Sequence, residues 1–190
     1  MRSPFLMSRG DSGLLVIDVQ EKLMAKVPGR EHIASKIALL AQGAKILGVP
    51  IQATEQYPKG LGPTIPELVG LLPPRLEKLS FSCGVLPEIT TFFQAGNIRN
   101  VLLAGIEAHV CVLQTALDLV ARDFRVYLAV DAVGSRHPED LQTALRRMER
   151  SGVVLTTTEA ALFEWLEQAG TREFKQISRL IVESDPKNPF

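Results

Sequence analysis

The chain has 190 residues, of which 46% are hydrophobic and 22% charged, with 21 basic side chains against 21 acidic ones. That length sets one domain as the prior and suffices to bury a full core without staples. The zero net charge lacks the basic excess of a nucleic-acid binder, and no apolar run is long enough to span a bilayer.

MRSPFLMSRG at the start has no apolar stretch of the secretory type and is read as an extension over 1–12. GLLVID (13–18) is the first apolar run. Residues 32–47 follow with Ile33, Ile37, Leu40, Ala44 and Leu47 at helical spacing, and Gly48 stops them. VPIQAT (49–54) is a second strand. TEQYPKGLGPTIPEL is a Pro- and Gly-rich loop with one helical turn at its end. RLEKLS (75–80) is a short strand, and 87–95 a helix bounded by Pro87 and Gly96.

NVLLAGI (100–106) is a strand, 109–122 a helix, and RVYLAVD (125–131) a strand. HPEDLQTALRRMERSG is a helix with acids first and arginines last, as the helix dipole favours. VVLTT (153–157) and residues 159–168 complete the last unit. Strands apolar on both faces, alternating with helices, belong to a covered parallel sheet. The expected fold is a three-layer α/β/α domain over 13–170, built on a doubly wound six-stranded parallel sheet. In the tail 171–190, Phe174, Ile177, Leu180 and Ile181 share one helical face. That face must bury on its own domain or on a neighbouring subunit. DPKNPF beyond it is expected to be disordered.

In such sheets ligands bind outside the carboxyl ends of the strands. That edge collects Asp18, Glu55, Lys78, Glu107, His109, Cys111 and Asp131. Cys111 stands out, because a thiol in the first turn of a helix is expected to ionise readily, more so beside Lys78. Asp18 could take the thiol proton and return it to a leaving group. Each residue also has a plainer explanation. Cys111 could be a small core hydrophobe, Asp18 a turn cap, Lys78 a solvated charge, and Glu107 and His109 satisfiers of a strand-to-helix bend. Cys83, in SFSCG, is read as a spectator near the rim.

Two cysteines do not make a disulfide scaffold, so both are expected as reduced thiols in a cytoplasmic protein. Three scattered histidines, with no paired His or Cys motif, predict no metal. The absence of a G-x-G-x-x-G element or P-loop predicts no nucleotide cofactor.

LLVIDVQEKL, EKLSFSC and GIEAHVCVLQTALDL resemble the isochorismatase-like cysteine hydrolases, over about residues 14–166. TEQYPKGLGPT is similar to the subgroup called isochorismatase domain-containing proteins. The resemblance implies a triad of Asp18, Lys78 and Cys111 that attacks a carbonyl through the thiolate. It also implies a non-proline cis peptide joining Ile106 to Glu107, with the N–H groups of Glu107 and Cys111 aimed at an oxyanion. Members that bind a metal carry histidines near the second strand. ATEQYPKGLG has none, so Gln56, Tyr57, Leu61 and Phe81 become pocket candidates, with Gln20, Glu55 and His109.

The function expected is a cofactor-free cysteine hydrolase acting on a small amide or a related C–N or ether bond. Its partners would be a small-molecule substrate and further copies of itself, as a dimer or larger homo-oligomer, with neither nucleic acid nor membrane. The alternative is a non-catalytic binding or interaction protein on the same fold. A receiver-type phosphoacceptor fits less well, since IDVQ offers one acid where that class uses a pair.

Overall fold

The computed structural model describes residues 2–3 and 5–184. Six strands form one sheet: β1 (Ser12–Ile17), β2 (Ile51–Gln56), β3 (Leu76–Lys78), β4 (Asn100–Ile106), β5 (Arg125–Gly134) and β6 (Val154–Thr156). Their order is β3-β2-β1-β4-β5-β6, and every neighbouring pair is parallel. The chain winds outward from β1 to β3, returns to the centre at β4, and winds the other way. The expected six-stranded doubly wound sheet is therefore what the chain forms. Its order reverses between β1 and β4, which is where this architecture opens a crevice.

The helices are α1 (Glu21–Met24), α2 (Arg30–Leu47), α3 (Pro58–Leu61), α4 (Pro66–Val69), α5 (Pro87–Ala95), α6 (Leu113–Val120), α7 (Pro138–Arg150), α8 (Thr158–Leu166) and α9 (Arg172–Ser184). A π-helical turn, Ala108–Val112, leads into α6. The strand side chains divide by parity. Leu14, Val16, Leu102, Ala104, Tyr127 and Ala129 face a core shared with α2, α8 and α9. Leu15, Ile17, Val101, Leu103, Val126 and Leu128 face a second core with α5, α6 and α7. The central strands β1 and β4 are buried on both faces, which is why the sequence shows continuous apolar runs there rather than alternation.

β5 runs on to Gly134, past a register shift against β4 between Leu103 and Gly105. Asp131 therefore lies within the strand, where its Oδ1 accepts from Thr158 N at 2.8 Å and caps the start of α8. The amphipathic helix α9 packs on its own domain. Ile177 and Ile181 enter the α2 core, and Phe174 meets Phe163 with ring centroids 6.4 Å apart. The DPKNPF segment lies outside the described residues.

At the centre, Gly105 has φ 140° and pairs with Ile17 of β1. A Cβ at Gly105 would run into the Ile17 backbone. Only glycine lets β1 and β4 approach this closely at the point where the sheet changes direction.

Candidate active site

Asp18 follows β1 directly and adopts a left-handed conformation, φ 53°. Its carboxylate is held from two sides. Thr54 Oγ1 donates to Oδ1 at 2.8 Å, and Lys78 Nζ donates to Oδ2 at 2.7 Å. Both members of this ion pair have side chains with no exposed surface.

Lys78 ends β3, two strands away from β1. Its ammonium also meets Gln56 Oε1 at 2.6 Å, Phe81 O at 3.0 Å and Ser80 O at 3.2 Å. An ammonium has three hydrogens, and these acceptors engage all of them. Lys78 is thus held in one position from all sides.

Cys111 sits in the π turn after β4, 4% exposed. Its thiol is pushed well above the ordinary range, first by burial and then by the Asp18 carboxylate, while Lys78 pulls the other way. The helix-start position suggests a lowered value, and the geometry reverses it. The lysine charge is already neutralised by Asp18 at contact distance, so desolvation outweighs what remains. The resting thiol is therefore protonated, beside the Asp18 carboxylate.

The backbone around Cys111 also differs from the expectation. Among the described residues there is no cis peptide, so the Ile106–Glu107 bond is trans. The chain turns instead through positive φ at Gly105 and Glu107, the latter at φ 58°. Ile106 points into the α2-side core, fully buried. Glu107 is buried as well, with Arg136 Nε 2.7 Å and His109 Nδ1 3.2 Å from its carboxylate. Neither of its oxygens has a well-directed hydrogen bond, so the Arg136 contact acts by charge. His109 Nδ1 also lies 3.1 Å from Ser135 Oγ. These contacts tie the cysteine turn to the loop after β5.

The other pocket candidates fall into two groups. Gln56 belongs to the cluster: its Oε1 accepts from Lys78, and its Nε2 donates to Leu79 O at 2.8 Å. Tyr57 and Phe81 are exposed near Lys78, and a cavity of about 370 Å³ is lined by Tyr57, Pro58, Lys59, Glu77, Lys78 and Leu79. Leu61 is half-buried at the end of α3.

Gln20 and Glu55 are not brought to the cluster. Gln20 clamps backbone instead, donating to Gln56 O and Gly62 O and accepting from Gln56 N. Glu55 Oε1 accepts from Thr64 N at 2.7 Å and Thr64 Oγ1 at 2.6 Å, with Arg75 at 3.7 Å. β2 runs two residues further than VPIQAT suggests. Strand parity turns Thr54 and Gln56 toward Asp18 and Lys78 and sends Glu55 the other way.

Sequence reasoning places Thr54 at the end of the second strand but misses its contact with Asp18, and it misses Thr115 and the role of Cys83. Cys83 Sγ is 3.5 Å from Thr54 Oγ1, and its N–H donates to Thr115 Oγ1. Both cysteines are free thiols. Among the described residues, no three His, Cys, Asp or Glu side chains gather closely enough to hold a metal ion, and no helix is long and apolar enough to cross a membrane.

The isochorismatase domain model matches residues 12–160. The chain is 41% identical over 174 residues to isochorismatase domain-containing protein 2 of Rattus norvegicus, covering 92% of this chain and 82% of that one. Among solved structures it is similar to the MAR1 ribonuclease of Caenorhabditis elegans, with TM-score 0.87, 39% identity and coverage of 93% and 92%. The YcaC gene product of Escherichia coli, described as an octameric hydrolase of unknown specificity, shares the fold at TM-score 0.87 and 21% identity, with coverage of 98% and 96%.

Proposed function

The chain belongs to the isochorismatase family, and from that premise we propose that it is a cofactor-free cysteine hydrolase of small amides or related C–N or ether substrates. The observation that carries this reading is the convergence of Asp18 and Lys78 at 2.7 Å with Cys111 against the same carboxylate.

For an amide, the steps balance within the chain. Cys111 Sγ bonds to the carbonyl carbon while its proton passes to Asp18. The carbonyl oxygen becomes an oxyanion, which this reading assigns to the N–H groups of Glu107 and Cys111. The C–N bond breaks as Asp18 returns the proton to the leaving nitrogen, leaving a thioester. Water then attacks the thioester, gives one proton to Asp18 and frees the acid, and Cys111 recovers that proton. Lys78 holds the Asp18 carboxylate in place through the steps. Because the thiol rests protonated, nucleophile formation waits for a substrate to dock.

The decisive experiment pairs Cys111→Ala with the native chain against a panel of small amides and vinyl ethers. Turnover should vanish in the variant. Turnover that persists removes the thiol mechanism.

The nematode neighbour's name raises RNA as a second substrate class. A zero net charge and a closed site do not favour a polyanion. Cleavage of an RNA oligonucleotide that depends on Cys111 would favour it instead. Homo-oligomerisation, expected from the resemblance, is supported by the octameric YcaC neighbour. Light scattering that returned only the 20.8 kDa monomer would remove it.

A further inference from the structure

The loop after β3 is linked to every member of the reactive cluster, to Lys78 directly and to the other two through one threonine each. Ser80 O and Phe81 O receive the Lys78 ammonium. Two residues on, Cys83 reaches both of the others through threonines. Its N–H donates to Thr115 Oγ1 at 2.9 Å, and that hydroxyl donates to Cys111 O at 2.6 Å. Its Sγ lies 3.5 Å from Thr54 Oγ1, which donates to Asp18 Oδ1 at 2.8 Å.

The direction of the sulfur contact follows from counting hydrogens. A threonine hydroxyl has one, and an ionised carboxylate has none. The Thr54 hydrogen is committed to Asp18, so Cys83 must donate its S–H to Thr54. Burial pushes the Cys83 thiol up to about 11, which keeps that hydrogen in place. A hydroxyl that accepts a bond donates a stronger one.

We propose that Cys83 is a positioning residue of the active site, its S–H ordering Asp18 through Thr54 and its N–H ordering Cys111 through Thr115. The proposal rests on the hydrolase reading and adds a residue outside the Asp18, Lys78 and Cys111 set. Cys83 never meets substrate. It strengthens the bond that steadies the Asp18 carboxylate. Weakening that bond leaves an Asp18 lone pair free for the Cys111 S–H and raises the share of Cys111 present as thiolate.

The test is the rate of iodoacetamide incorporation at Cys111 at neutral pH, read by peptide mass spectrometry. Asp18, Lys78 and Cys83 are the titratable groups acting on that thiol. Thr54→Val, which removes the donor to a carboxylate, should speed labelling about tenfold. Cys83→Ala should speed it about twofold, the size expected for losing cooperative strengthening alone. Cys83→Ser, which keeps a donor, should restore the native rate. Because Cys83 acts through Thr54, Cys83→Ala should add nothing in a Thr54→Val background.

An equal rate in Cys83→Ala and the native chain, an additive effect in that background, or a serine variant no better than alanine would each overturn the proposal. The serine comparison also separates donation from packing, since both side chains leave a similar void. Asp18→Asn tests the underlying reading separately. If it leaves Cys111 labelling unchanged, Asp18 is not coupled to the thiol and the hydrolase mechanism itself fails.

Discussion

Lys78 and Asp18, sixty residues apart in sequence, meet at 2.7 Å with neither side chain exposed. A buried pair of this kind is costly to break, because the surviving charge has no water to turn to. Lys78→Met should therefore destabilise the fold by about 3–5 kcal/mol. Asp18→Asn should cost less, since an amide oxygen still accepts from Lys78. Urea unfolding of the two variants checks the order. A Lys78→Met chain as stable as the native one would mean the pair is solvated.

Cys83 makes stability depend on alkaline pH. Its thiol stands at about 11 in the folded chain against an ordinary value of 9.0. The folded state holds that proton more tightly, so the contribution is whole below pH 9.0 and is lost as pH climbs toward 11. Within that window unfolding free energy should fall by about 1.4 kcal/mol per pH unit from this group. Cys83→Ala should show a correspondingly shallower decline. Matching slopes in denaturant titrations at the two ends of the window would contradict the assignment.

Gly105 should not tolerate a side chain. Its φ of 140° and the Ile17 backbone beside it both oppose alanine. Gly105→Ala should cost roughly 3–5 kcal/mol, among the larger effects of a single substitution. Gly152→Ala is the contrast: φ is 93° but no atom stands within reach of the new Cβ. Its loss should be smaller, limited to backbone strain. Thermal melts of both chains decide whether close approach or conformation dominates.

The final helix contributes to the same core as the sheet. Ile177 is fully buried against α2, and its Cδ1 lies near Gly43. Ile177→Ala should cost about 2–5 kcal/mol at any protein concentration. A loss that grew on dilution would show instead that the helix is held between copies.

Much of this was legible from residue order. Runs such as VLLAGI, buried on both faces, announced a covered parallel sheet, and the strand ends named Asp18, Lys78 and Cys111. What escaped depends on three-dimensional company. The upward shift of the Cys111 thiol comes from burial and from the Asp18 carboxylate, which a helix-start position alone does not reveal. Cys83 looked idle because its role runs through two threonines on β2 and α6 that nothing in SFSCG indicates. Glu55 leaves the cluster because β2 runs two residues beyond VPIQAT, and one step along a strand reverses the face. The cis bond implied by resemblance is replaced by two left-handed residues, only one of them glycine.

The strand that delivers Lys78 is three residues long and lies at the rim of the sheet. Rim segments with little pairing are the first to detach in thermal fluctuation, well before the middle lets go. Such a departure withdraws the cation and leaves thiol and carboxylate seated on the inner strands. Under the proposed mechanism, turnover should therefore be lost at a lower temperature and denaturant concentration than the fold itself.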